Sequence, residues 1–252
     1  MRLAQSIRES RERPLVPFAR WVTEGHLLDD AAPVRAAVTH AEHLRKTLAG
    51  TVRTTWLRWG LRSMDASDAL ARLSSPAPAC ALLAELIART APAWVVEIGS
   101  AFGVASVAMA SALVAGGRGR FDGIELEDWK AALADAAVRA VLGDRGAVHA
   151  GGVESVLPAL VDRRATRIDF AFVDALHTYD ATWAEHRLLV AATAPGAVVV
   201  YDDVSFSDDM RRCWSAIARA PEVTDAVLVS GRWGVTRYAG TAPSADASTS
   251  VN

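Results

Sequence analysis

Cysteine is scarce: Cys80 and Cys213 are the two in 252 residues. They lie far apart and form neither a CxxC pair nor a Cys/His ligand spacing, so a reducing, cytoplasmic setting fits best. An excess of either charge is also missing, with 27 Lys plus Arg against 29 Asp plus Glu and a net charge of −2. Nothing global then draws the chain to nucleic acid or an anionic membrane, and a small-molecule substrate is the simpler expectation. No uninterrupted apolar run approaches the ~20 residues of a membrane helix, and the N-terminus lacks a signal-peptide h-region. Its arginines (Arg2, Arg8, Arg11, Arg13, Arg20) have the flavour of a transit peptide, but Glu9 and Glu12 count against that and favour a solvated helix. The G-x-G-x-x-G dinucleotide fingerprint is absent, and so is any internal repeat.

What is present is enough apolar content, 51%, for an ordinary core in one sizeable α/β domain with a small accessory segment. Val38, Leu44, Leu48, Val52, Trp56 and Trp59 recur at helical spacing, so residues 1–73 read as a helical N-terminal extension, a lid or a homodimer contact. Ser74-Ser75-Pro76-Ala77-Pro78 signals a turn, followed by a helix over Cys80 to Arg89. Strands are predicted at Trp94 to Ile98, Phe121 to Glu125, Ala147 to Ala150, Ile168 to Val173 and Ala197 to Tyr201. Helices are predicted at Trp129 to Leu142, Tyr179 to Ala192 (closed by Pro195-Gly196) and Asp208 to Ala218. Ala226 to Val229 and Trp233 to Tyr238 flank Ser230-Gly231-Arg232 as a hairpin. The alternation gives a doubly wound parallel sheet over residues 74–240, and the small polar tail 241–252 reads as disordered.

The most informative stretch is Val95-Val96-Glu97-Ile98-Gly99-Ser100-Ala101-Phe102-Gly103, a buried strand breaking into a glycine turn that opens a helix. Gly99 would let the backbone pass close under a ligand, and Gly103 would let the helix sit close to the strand. In such sheets ligands bind at the carboxyl ends of the strands, and here those ends are acidic: Glu97, Glu125, Asp174, then Asp202-Asp203. Glu125 follows the glycine turn by roughly the ~20 residues expected of a ribose-binding acid, and its two oxygens can accept from two hydroxyls. Its alternative role is dipole complementation with Glu127 and Asp128 ahead of a helix. Asp174, Asp202 and Asp203 could converge on Mg²⁺ or Ca²⁺, or could be solvated turn acids, and spacing leaves both readings open. His177 alone among the six histidines falls at a strand's carboxyl edge, where an imidazole can serve as general base.

Taken together, these motifs resemble the class I S-adenosylmethionine-dependent methyltransferases of the catechol and caffeoyl-CoA O-methyltransferase type and their bacterial antibiotic-tailoring relatives. The resemblance covers roughly Leu73 to Tyr238 and implies a Rossmann-like seven-stranded sheet whose last strand is antiparallel. It also implies S-adenosylmethionine as cofactor, held by Ser75, Glu97, Gly99, Gly103, Glu125 and Asp174. Ala150 to Pro158 is similar to the adenine-wrapping segment, with Gly152 and Val153 as contacts. Asp174, Asp202 and Asp203 match the paired Mg²⁺ motifs. Where the catechol-type enzymes carry Asp-Asn and a lysine base, this chain has Asp202-Asp203 and His177, which resembles the antibiotic-modifying subgroup.

The expectation is therefore Mg²⁺-assisted methyl transfer to an oxygen of a small molecule, with His177 taking the proton beside Asp174 and with no nucleic-acid or membrane partner. Competing readings are a metal-free N- or C-methyltransferase of an indole-like aromatic with a tryptophan-lined pocket, a nicotinamide oxidoreductase, and a non-catalytic binding module.

Overall fold

The structure, a computed structural model, describes residues 4–6, 16–23, 31–55, 61–164 and 166–239. Along the chain run β1 (Ala4–Ser6), α1 (Val16–Thr23), α2 (Ala32–Thr47), β2 (Thr51–Thr55), β3 (Leu61–Asp65), α3 (Ala66–Leu73) and α4 (Ala77–Thr90). Then come β4 (Trp94–Ile98), α5 (Val104–Ala115), β5 (Arg120–Glu125), α6 (Asp128–Leu142), β6 (Gly146–Ala150) and α7 (Val153–Asp162). The chain closes with β7 (Ile168–Val173), α8 (Tyr179–Ala192), β8 (Thr193–Tyr201), α9 (Asp208–Ile217), β9 (Val223–Val229) and β10 (Trp233–Tyr238).

Eight strands form one sheet in the order β1-β9-β10-β8-β7-β4-β5-β6. The strands from β8 to β6 are parallel, and β10, the last, lies antiparallel between β8 and β9. This is the doubly wound, Rossmann-like sheet expected, with β1 added antiparallel on the edge of β9. Strand β4 shows why the sheet needs two helical layers. Val95 joins a core with residues of α4, α5 and α6, while Trp94, Val96 and Ile98 join one with residues of α7, α8 and α9. A period of two sends neighbouring side chains to opposite faces, and a strand with apolar residues on both must be covered on both.

The N-terminal segment departs from the helical expectation: β2 and β3 form an antiparallel hairpin pairing Val52 with Met64. The apolar spacing Leu44, Leu48, Val52 steps by four, which satisfies a helix face and, being even, a strand face as well. What separates the two is Gly50, at φ +80°, followed by the β-branched run from Thr51. Trp56, Trp59 and the tail 241–252 lie outside the described residues, as does His26. Pro195-Gly196 does not close a helix. It lies in β8, where the register with β7 shifts between Ile168 and Phe170. Among the described residues no single helix is long and apolar enough to cross a membrane.

Candidate active site

Main-chain hydrogen bonds continue past the strand ends and draw the acidic positions together. Asp174 N–H donates to the Ile98 carbonyl at 2.8 Å, and Asp202 N–H to the Val173 carbonyl at 2.9 Å. Gly99, at φ +89°, makes the first approach feasible, since a Cβ there would stand 2.2 Å from the Asp174 carbonyl oxygen. Its freedom thus serves the closure of β4 on β7, a backbone neighbour where the sequence suggested a ligand. Gly103 likewise differs from expectation: it faces α6, where a Cβ would fall 2.9 Å from Ala134 Cα, and it does not face a strand.

Above these strand ends opens a cavity of about 550 Å³. Ser75, Gly99, Glu125, Gly152, Val153, Asp174, His177, Asp202 and Asp203 all line it, whereas Glu97 and Gly103 do not. Glu97 is buried in β4, where the Ser106 hydroxyl donates to it and burial pushes its carboxyl up to about 7. Gly152 and Val153 sit at the start of α7, so the expected wrapping segment is the entry to a helix.

At one end of the cavity Glu125 is buried and held rigidly. Its Oε2 accepts from Ala101 N–H at 2.8 Å, its Oε1 from Glu127 N–H at 3.0 Å, and Lys130 Nζ lies 3.0 Å from Oε1. Lys130 and Glu127 also line the cavity, so this end presents both signs of charge. Of five large hydrophobic side chains left exposed among the described residues, Leu126, Leu176 and Phe206 line the cavity, which gives it apolar walls. None of the described tryptophans lines it, Trp183 and Trp214 included, while Trp56 and Trp59 lie outside the described residues.

At the other end stand the three aspartates and His177. Ser75 Oγ donates to Asp174 Oδ2 at 3.1 Å, and His177 Nε2 lies 3.4 Å from Asp174 Oδ1 and 3.8 Å from Asp203 Oδ2. Burial and the neighbouring Asp202 push the Asp174 carboxyl well above the usual carboxylate range, and the same two causes raise Asp203. Burial holds His177 below the ordinary imidazole value, against the pull of Asp203 and Asp202, so the ring is neutral at pH 7 and able to accept a proton. Asp203 also adopts φ +50°, a left-handed conformation of the kind found where a site over-determines its backbone.

The expected magnesium centre is not what these acids make. Arg232, in the β9–β10 turn, donates from Nε to Asp202 Oδ1 and from Nη2 to Asp202 Oδ2, each at 2.7 Å, and its Nε lies 3.0 Å from Asp203 Oδ1. Both oxygens of Asp202 are thereby committed to a guanidinium, and no cluster among the described residues has the arrangement of a metal site. The residues present therefore do not fit the cation that the motif implied. Three charged residues that line the cavity escaped the sequence reading: Arg232, Lys130 and Glu185. Glu185 lines the cavity at 5% exposure, and its Oε2 has no hydrogen-bond partner among the described residues. Burial, with Glu154 nearby, pushes its carboxyl up to about 8.

Comparison with known proteins agrees with this geometry. Residues 96–204, the segment that holds the glycine turn and the three aspartates, match the family described as "Methyltransferase domain". The nicotinamide reading falls with that match. No curated protein matches the chain. Among solved structures, it is similar to an O-methyltransferase from Bacillus cereus in complex with SAH, at 19% identity over 87% of this chain and 96% of that one, with a TM-score of 0.58. It is similar to the O-methyltransferase TomG from Streptomyces achromogenes, involved in tomaymycin synthesis and solved with SAM, at 22% identity over 84% and 91%, TM-score 0.59. SAH-bound PaMTH1 from Podospora anserina matches at 15% identity over 93% and 99%, TM-score 0.63. At these identities the likeness establishes the fold alone.

Proposed function

We propose that this methyltransferase-domain chain moves the methyl group of S-adenosylmethionine to a hydroxyl oxygen of a small-molecule acceptor. The observation that carries the reading is a half-buried His177, beside Asp174 and Asp203, at one end of a cavity whose other end is built around Glu125. When bound, the cofactor supplies a sulfonium-activated methyl carbon; the acceptor oxygen bonds to that carbon as the carbon–sulfur bond breaks, and the hydroxyl proton must leave.

The cavity's donors and walls fit that cofactor. Glu125, pinned by two main-chain N–H groups, keeps lone pairs for ribose hydroxyls. Leu126 and Leu176 offer apolar surface to a flat base beside Gly152, which has no side chain to obstruct it. Asp174, with Ser75 donating to it, presents a carboxyl group to the amino end of the cofactor. His177 Nε2 takes the acceptor's proton, and Asp203 and Asp202 favour the imidazolium that results. Positioning accounts for much of the acceleration, because the electrophile is intrinsically reactive.

The acceptor class we propose is a hydroxylated natural product, in line with the role named for TomG. Nitrogen or carbon methylation of an aromatic is the second reading. The Arg232 clamp favours it to the extent that such reactions dispense with a metal, though the aromatic side chains lining the cavity are His177 and Phe206 alone among the described residues. The test is calorimetric titration with S-adenosylhomocysteine, followed by a screen of phenols, sugars and indoles for label from methyl-labelled cofactor. Binding with label on oxygen supports the proposal. Label on nitrogen or carbon selects the second reading, and no binding removes both.

A further inference from the structure

The three aspartates at the ends of β7 and β8 converge on one end of the cavity, and such a cluster requires positive charge. Arg232 supplies it in the strongest geometry open to a side chain, a bidentate pair with both Asp202 oxygens at 2.7 Å. The pair is asymmetric in exposure: the Asp202 side chain is 1% exposed, the Arg232 side chain 37%. Asp202 holds the buried charge, and the guanidinium covers it from the cavity side, where Arg232 is itself a lining residue.

Every oxygen that a cation would need already has a protein partner or neighbour. Asp202 Oδ1 also accepts Asp203 N–H at 2.8 Å, Asp203 Oδ1 lies 3.0 Å from Arg232 Nε, and Asp174 Oδ2 accepts from Ser75. The arginine is held in place through its backbone as well. Its N–H donates to the Val229 carbonyl and its carbonyl accepts from Val204 N–H, both at 3.0 Å, so the β9–β10 turn is tied directly to the Asp203 loop. Mg²⁺ demands a near-octahedral oxygen shell at roughly 2.0–2.1 Å. It could be built here only by displacing a guanidinium from a buried carboxylate, with two like-charged centres left side by side.

We infer that Arg232 stands where a divalent cation would stand in this acid cluster, and that methyl transfer by this chain runs without a metal. The guanidinium is a weaker electrophile than a cation but offers directed N–H donors to an acceptor oxygen, leaving proton removal to His177. The second half of the inference rests on the methyltransferase reading; the first half does not.

The experiment is a titration of Mn²⁺, read by the loss of its free-ion electron paramagnetic resonance signal, into the wild type and Arg232→Ala, each with excess S-adenosylhomocysteine. A thermal shift on adding S-adenosylhomocysteine, measured separately, tests the methyltransferase reading by itself. We expect no bound Mn²⁺ in the wild type and one saturable equivalent in Arg232→Ala, where the carboxylates have lost their partner. One equivalent bound by the wild type overturns the inference, and so does an Arg232→Ala variant that is folded by circular dichroism yet binds none. If that variant does not fold, the wild-type titration decides alone.

Discussion

Glu97 and Glu185 are carboxyls that the fold keeps from water, at about 7 and about 8, in each case chiefly through burial. Both folded values lie above the ordinary 4.5, so each group favours the folded state at low pH, and the contribution is lost as pH rises through the folded value. Stability should therefore decline between about pH 4.5 and 8, the reverse of a protein held by paired carboxylates. Replacing Glu185 with Gln removes its share: we expect Glu185→Gln to match the wild type at pH 5 and to exceed it at pH 9, on the order of a few kcal/mol. Urea unfolding across that range decides, and parallel curves would sink the assignment. For His177→Ala we expect turnover to fall ~10²- to 10⁴-fold with S-adenosylhomocysteine affinity nearly unchanged. In the wild type, kcat should rise with pH and level off from a point below 6.5, because burial lowers the imidazole. The positions of Asp174, His177, Asp202 and Asp203 were legible in the sequence because each follows an apolar run that could only be a buried strand, and strand ends are where such sheets bind ligands. Arg232 was not, since its meaning depends on β9 running parallel to β8, which brings the turn to the same sheet edge as the acids. Glu185 carries no pattern at all, being one polar residue of a helix until α8 is packed.

At the scale of elements, the glycine turn between β4 and α5 joins a strand to a helix that is buried along most of its length. Gly103 is the N-cap of α5 at φ +78°, in contact distance of Ala134 on α6. Alanine there meets both a left-handed backbone and a helix backbone, so we expect Gly103→Ala to cost about 2–4 kcal/mol of stability. The stabilised remainder should bind S-adenosylhomocysteine normally at low temperature, as the residue does not line the cavity. Unchanged stability with lost binding would return Gly103 to the ligand. The central strands were readable because burial on both faces leaves near-continuous apolar runs, and β4 and β7 match their expected limits. The β2–β3 hairpin was not readable, because its few apolar residues fit two periods at once and Gly50 is the single discriminating mark. Helix α7 was not predicted either: Ala150 to Pro158 matches only an adenine-wrapping segment, whereas Gly152 is the N-cap of a helix.

At the scale of the whole molecule, residues 1–73 are tied to the sheet domain at several independent places. Ala37 and Ala41 of α2 pack with Cys80, Val104 and Ala108, small side chains that let three helices approach closely. His40 Nε2 donates to the Phe102 carbonyl at 2.8 Å, and Thr54 Oγ1 to Glu127 Oε1 at 3.1 Å beside the proposed ribose site. Phe18 and Val22 of α1 share a core with Val227 and Val229 of β9. An extension so attached cannot unfold without stripping apolar cover from α4, α5 and β9, so the two segments should melt as one. We expect a single calorimetric transition, shifted as a whole by S-adenosylhomocysteine. Leu70→Ala supplies the sharper test. Leu70 is buried in α3 within a cluster with Leu44, Ala69 and Phe102, which spans both segments, and truncating it should cost about 2–5 kcal/mol. If the segments are one cooperative unit, that loss lowers the entire transition and leaves its shape unchanged. A second peak emerging at lower temperature, with the sheet domain's transition unmoved, would mean that residues 1–73 melt alone and that the cavity wall formed by Arg72, Leu73, Ser74 and Ser75 is a detachable cover.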